Sequence, residues 1–271
     1  MTLTGISWSG GVPSTGLVAA SIDGVLPGVD VAIFADTGAE TQSTYDTVAV
    51  WTPFFESKGI RVVRADVWGR VTDCADQSGH FAAVPFYTVD AGGKRGRLKR
   101  QCTAEYKIRP IRRSIRLLLG KAVTGRLAVG LAEQWIGYTR EEVGRLKPSR
   151  VAFLVDRFPW IELGWFRWQV EEYLRGFART HLLPMPRASA CWMCPFRDDW
   201  HVLPDEEIAR AVSFDARIRD LRRRGVAGQL FMHRSCQPLP QVVESLRSER
   251  RAPVVSQLAF AMECGGGGCG T

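Results

Sequence analysis

No stretch of this chain approaches the roughly 20 uninterrupted apolar residues of a membrane-spanning helix. Its opening, Met1-Thr2-Leu3-Thr4, lacks the basic and long apolar regions of a secretory signal. These two absences argue for a cytoplasmic protein with no membrane partner. In that compartment seven cysteines do not read as a disulfide framework, so metal ligation or thiol chemistry becomes the better question. Residues 68–107 lack any long periodic apolar run and carry Gly79, Gly92, Gly93 and Gly96 among basic residues. They read as an excursion over a site rather than as core, with Lys94 to Arg100 guiding an anionic substrate inward, or as a solvated loop.

What is present suffices for a substantial core: 271 residues, 45% hydrophobic and 24% charged. The net charge of +8 gathers in clusters: Lys94, Arg95, Arg97, Lys99 and Arg100; Lys107, Arg109, Arg112, Arg113 and Arg116; Arg219, Arg222, Arg223 and Arg224. Such a surface suits a polyanion, the alternative being plain solvated faces.

The chain is organised around Ile6 to Thr15, I-S-W-S-G-G-V-P-S-T. An apolar segment runs into Ser9-Gly10-Gly11, and Pro13, Ser14 and Thr15 open a helix carrying Leu17, Val18, Ala19 and Ala20. Adjacent glycines let backbone N–H groups approach an anion, and the helix start adds aligned donors and partial positive charge, so phosphate is the expected guest. Val29 to Ala35 reads as a second, buried strand ending in Asp36-Thr37-Gly38-Ala39-Glu40. A helix follows over Gln42 to Lys58 with a kink at Pro53, then a third strand over Ile60 to Ala65. This alternation predicts an α/β fold with a doubly wound, mostly parallel sheet, in which both loops lie beyond the carboxyl ends of strands.

Further along, Ile111, Ile115, Leu118 and Leu119 are spaced for the buried side of a helix, and Leu127 to Leu131 reads as a fourth strand. Thr139 is an N-cap candidate with Glu142 three residues on. Glu141 and Arg145, one helical turn apart, read as a surface ion pair. Trp165, Trp168, Val170, Tyr173, Leu174 and Phe177 read as core. Helices are expected over Asp205 to Arg224 and Leu239 to Arg251, with residues 1–184 as the nucleotide-binding domain and 185–271 as a cysteine-containing extension.

Four segments in order carry a resemblance: Ser9-Gly10-Gly11-x-x-Ser14; Phe34-x-Asp36-Thr37-Gly38-x-Glu40; Cys102-Thr103 with Lys107 and Pro110; and Gly137 with Glu142 and Arg145. Over roughly residues 4–200 the chain resembles the phosphoadenylyl-sulfate (PAPS) reductase branch of the PP-loop ATP pyrophosphatases, most closely phage and actinobacterial proteins that carry a late Cys-x-x-Cys-Pro. The resemblance implies an adenine-nucleotide alpha-hydrolase fold that binds ATP or a related adenylyl nucleotide, with Mg2+ as a candidate companion. Ser9, Gly10, Gly11, Ser14 and Thr15 would hold phosphate. Asp36, Thr37, Gly38 and Glu40 would lie near the adenosine or the catalytic face, and Arg109 would add to the nucleotide site. Asp36, Lys107 and Arg145 are the catalytic candidates, with Cys264 as a thiol nucleophile. Where many members have Lys-Asp in the first loop, this chain has Val12-Pro13, so a lysine charge is lost that Lys107, Arg109 or Arg145 would have to replace.

Cys191-Trp192-Met193-Cys194-Pro195 is a second focus. With Cys102 and a cysteine of the terminal Cys264–Cys269 segment, taken as Cys269, the thiolates would hold a [4Fe–4S] cluster or Zn2+; alternatively the pair does redox or persulfide chemistry. Cys74 and Cys236, without close companions, read as small buried side chains. His233 and Arg234 read as structural or solvated, with acid–base or phosphate contact as the alternative. The implied activity is cleavage at an α-phosphate with sulfur transfer to a nucleic acid, tRNA or DNA, fed by a sulfur-donor protein. The alternatives are PAPS reduction, since Glu263-Cys264-Gly265 opens like the thiol segment of those reductases but lacks its leucine, and a nucleotide- or nucleic-acid-binding protein without turnover.

Overall fold

A computed structural model describes residues 2–65, 69–76, 83–147, 149–221 and 228–251. The chain divides into two compact units, one made of residues 1–86 and 96–194, the other of 87–95 and 195–271. Cys191 and Cys194 belong to the first unit.

The first unit begins with strand β1 (Leu3–Trp8), helix α1 (Val12–Ile22), strand β2 (Val31–Ala35), helix α2 (Gln42–Ser57), strand β3 (Arg61–Ala65) and the short helix α3 (Val71–Asp76). The chain then passes through β4 (Tyr87–Val89), which belongs to the second unit, and β5 (Arg95–Arg97). Back in the first unit, a π-helical turn (Ala104–Ile108) leads into α4 (Arg109–Leu118). Strand β6 (Ala132–Trp135), a 3-10 turn (Arg140–Arg145), strand β7 (Leu154–Arg157) and helices α5 (Pro159–Glu162) and α6 (Arg167–Thr180) complete it.

Five of these strands form one sheet in the order β3-β2-β1-β6-β7, and neighbouring strands run parallel throughout. β2 is buried at all five positions, as a strand covered on both faces requires. One face packs Ile6, Trp8 and Phe34 against α1, Trp51 and Phe55 of α2, and Val170, Leu174 and Phe177 of α6. The other packs Val31, Ile33 and Leu154 against Ile111 and Ile115 of α4. The doubly wound α/β class expected from the sequence is the class observed. α2 continues as one helix through Pro53, its Trp51 and Phe55 fully buried.

Four local expectations are corrected. The fourth strand of the sheet is Ala132–Trp135 rather than Leu127 to Leu131. Gly130 adopts φ +68° just before it, and the polar run A-E-Q-W is strand because it pairs with β1 and β7 on either side. Trp168 is 61% exposed on α6, whereas Trp165 stacks on Trp160 at 5.0 Å. Arg145 pairs with Glu142, while Glu141 accepts the Arg167 backbone N–H at 2.9 Å. Cys236 is half-buried and sits at φ +55° rather than in a core. The side chain of Cys74, the cluster members Arg222, Arg223 and Arg224, and the tail with Cys264 and Cys269 lie outside the described residues.

In the second unit a 3-10 turn (Trp200–Val202) precedes α7 (Asp205–Ile218), β8 (Gln229–Phe231) and α8 (Leu239–Arg251). β8 pairs antiparallel with β4. Buried Asp215 organises this unit by accepting the Met232 N–H at 2.9 Å and the Leu239 N–H at 3.1 Å while pairing with Arg219. His233 uses Nδ1 locally, 2.8 Å from the Ser235 hydroxyl. Among the described residues no helix is long and apolar enough to cross a membrane.

Candidate functional site

β1 is flanked by β2 on one side and β6 on the other, so the winding direction reverses at the β1/β6 edge. In open parallel sheets that reversal leaves a crevice beyond the carboxyl ends of the strands. Ser9-Gly10-Gly11 leaves β1 there, and Asp36-Thr37-Gly38 leaves the adjacent parallel strand β2 at the same end.

The first loop is shaped by what its glycines omit. Gly10 adopts φ +72°, a conformation that suits a residue without Cβ, and a Cβ on Gly11 would stand 2.8 Å from the Ser189 hydroxyl oxygen. Gly11 is the N-cap of α1, and no side chain caps that helix. Its first-turn N–H groups, of which Pro13 supplies none, therefore have no side-chain cap, and Gly10, Gly11, Val12 and Ser14 around them are buried. Hydroxyls line the same turn. The Ser14 hydroxyl donates to the Gly11 carbonyl at 3.2 Å and accepts the Ser9 N–H at 3.1 Å, and the Ser9 and Ser14 oxygens are 3.0 Å apart. Ser189, 180 residues along the chain, donates to the Ser9 oxygen at 2.9 Å. Thr15 has another duty: fully buried, it accepts the Trp8 indole N–H at 2.9 Å. From the opposite flank, the loop after β6 lies against the same helix start, because a Cβ on Gly137 would stand 2.9 Å from the Pro13 carbonyl carbon and the Ser14 nitrogen. The Trp160 indole donates to the Pro13 carbonyl at 2.8 Å.

In the second loop Asp36 is committed on both oxygens. One accepts the Gly38 N–H and the Tyr45 hydroxyl, each at 2.8 Å, and the other pairs with exposed Arg64. Burial alone would raise its pKa, but these donors outweigh burial and hold the carboxyl below the usual value. Conversely, burial and the Asp36 charge push the Tyr45 hydroxyl up. Asp36 thus shapes the loop.

Glu40 is the centre of a third group. It is 2% exposed, and its Oε1 accepts the Thr37 hydroxyl at 2.9 Å, lies 3.3 Å from the Lys107 ammonium and takes the Cys191 thiol at 3.6 Å. Its Oε2 is buried with no hydrogen-bond partner among the described residues. Cys191 reaches Glu40 because the two residues form an antiparallel bridge, reinforced by Trp192 N–H donating to the Ala39 carbonyl at 2.9 Å. Burial and the Glu40 charge push the Cys191 thiol up, opposed by Lys107 and Thr37. Burial would lower the Lys107 pKa, but Glu40 and Cys191 raise it overall. Burial likewise pushes the Cys102 thiol up.

The structure therefore brings together Ser9, Gly10, Gly11 and Ser14 at one helix start, and Thr37, Glu40, Lys107 and Cys191 around one carboxylate. It does not place Arg109 or Arg145 in either group. Arg109 pairs with Glu105, and Arg145 pairs with Glu142 while lying 4.6 Å from the Tyr138 ring centroid. Among the described residues no three His, Cys, Asp or Glu side chains form a metal-holding group. Cys269, expected to complete a cluster or zinc site with Cys102, Cys191 and Cys194, lies outside them. Ser189 and Gly137 are the contributors that sequence reading misses as site residues. Gly137 stands within one of the four resemblance segments, whereas nothing near Ser189 marks it except its place two residues before Cys191.

No family model matches the chain, and no curated protein does. Among 19 solved chains that match is the crystal structure of phosphoadenylyl-sulfate (PAPS) reductase from Candida auris in a phosphate complex. It is 13% identical with a TM-score of 0.41, over 70% of this chain and 80% of that one. The present chain is similar to it at a level that assigns no residue a role.

Proposed function

We propose that the first unit binds ATP or a related adenylyl nucleotide at the carboxyl edge of the sheet and cleaves it at the α-phosphate, for sulfur transfer to a nucleic acid. The observation that carries this reading is the start of α1 at the switch point, which no side chain caps, with two adjacent glycines, Gly10 and Gly11, before it and the Ser9 and Ser14 hydroxyls beside it. A polyanionic acceptor is supported by the exposed Arg97, Lys99 and Arg100 of the same unit.

One observation favours a second reading, binding without turnover. Each cation named to replace the missing loop lysine already faces a carboxylate: Lys107 with Glu40, Arg109 with Glu105, Arg145 with Glu142. Titration calorimetry with ATP and with pyrophosphate, followed by a pyrophosphate-release assay with and without tRNA or DNA, separates the two. Binding with release supports the enzyme, and binding without release under every condition supports the binding protein. No binding of either ligand overturns both. Reduction of PAPS by added thiol would redirect the assignment to the reductase reaction.

A further inference from the structure

Cys191 and Cys194 occupy one turn, in which the Cys194 N–H donates to the Cys191 carbonyl at 3.0 Å. The first and last Cα atoms of such a turn lie within about 7 Å, and a disulfide spans about 4.4–6.8 Å. Neither cysteine is in a disulfide. Beside the turn stands Glu40, an almost fully buried carboxylate whose Oε2 has no partner among the described residues and whose Oε1 is 3.6 Å from the Cys191 sulfur. Lys107 is 3.3 Å from the same carboxylate and within electrostatic reach of both thiols. An ammonium in that position repels a second cation, while a buried carboxylate with a spare lone pair can take a proton from a neighbouring thiol.

We propose that Cys191 and Cys194 are a redox-active dithiol that exchanges with disulfide substrates, with Glu40, held by Lys107, as proton acceptor for Cys191. Cys194 enters first, because Cys191 is held by Thr37 and Glu40. The Cys194 thiolate attacks one sulfur of R–S–S–R, forms a mixed disulfide and expels a thiolate, which takes up the proton that Cys194 released. Cys191 then passes its proton to Glu40 and attacks the Cys194 sulfur, breaking the mixed disulfide. The second leaving thiolate recovers the proton from Glu40. Two protein thiols are oxidised to one disulfide and R–S–S–R is reduced to two R–SH. This goes beyond the nucleotide reading and does not depend on it.

The test uses the full reduced chain, without nucleotide, in oxidised and reduced glutathione mixtures, quenched and alkylated before tryptic mapping. Cleavage after Arg187 and Arg197 places both cysteines in one peptide. The expected result is that this peptide loses two hydrogens reversibly. Cys191→Ser should trap glutathione on Cys194, and Glu40→Gln should slow resolution of the mixed disulfide by about a hundredfold. A peptide that stays reduced, a Cys102–Cys194 linkage, or stoichiometric iron or zinc that disappears in Cys191→Ser would overturn the proposal. Resolution at the wild-type rate in Glu40→Gln would overturn the role of Glu40. Because ATP binding is measured separately, failure here leaves the nucleotide reading standing, and the reverse also holds.

Discussion

Two loops leave adjacent parallel strands at the same end of the sheet, yet they are built on opposite principles. The β1 loop is made of small residues and hydroxyls and leads into a helix start that no side chain caps. The β2 loop gathers charge: Asp36 with Arg64, and Glu40 with Lys107 and Cys191. An uncapped helix start favours negative charge beside it, whereas a loop whose carboxylates already face cations is suited to holding its own shape. Their link is the segment carrying Ser189 and Cys191, one residue bonded to each loop.

The largest break in this comparison is expected from Lys107→Met, which strands a buried carboxylate. The cost should be about 2–3 kcal/mol in urea unfolding, below the usual value for breaking a buried pair because a third of the Lys107 side chain meets solvent. Arg109→Met, removing an exposed pair, should cost less than about 1 kcal/mol.

Gly137→Ala comes next, because its Cβ meets backbone, which cannot rotate away. A loss of about 1–3 kcal/mol is expected together with weakened pyrophosphate binding. Gly11→Ala meets only the Ser189 segment and should cost less. Equal costs for the two would deny that the β6 loop rests on the helix start.

Thr15→Val removes the acceptor of the Trp8 indole N–H. It should destabilise by about 1–3 kcal/mol while leaving the pyrophosphate affinity of the folded fraction within about threefold, which requires that Thr15 serve the core rather than the ligand.

Asp36 gives a pH signature. Its folded pKa lies below the ordinary value of about 3.9, so its stabilising contribution is present above that value and is lost as pH falls through the folded pKa. Asp36→Asn should therefore flatten the acid limb of the stability curve. The smallest expected effect is that of Ser189→Ala. It should weaken pyrophosphate binding by a few fold, in line with one hydrogen bond of about 0.5–1.5 kcal/mol, and remove any protection of Cys191 from alkylation that pyrophosphate confers.

The first loop is legible because its parts are contiguous: a strand, two glycines and a helix start fall within ten residues, and local geometry follows from local composition. Gln134 and Trp135 are not recognisable as strand residues from their neighbours, because their burial depends on β1 and β7 lying on either side. Trp168 defeats the periodicity argument because a helical spacing says which residues share a stripe and cannot say how wide the buried stripe is. The choice of Glu142 over Glu141 by Arg145 follows from the 3-10 turn, whose tighter winding brings residues three apart together.

By itself the sequence determined the alternating α/β order, the strand, Gly-Gly loop and helix start that open the chain, and the closeness of Cys191 to Cys194, because each depends on residues near one another in the chain. Only the tertiary structure decided that Lys107 would face Glu40, that Ser189 would join Ser9, and that Glu40 would stand beside Cys191. Those contacts join segments 67 to 180 residues apart, and the stacking order of the sheet sets them.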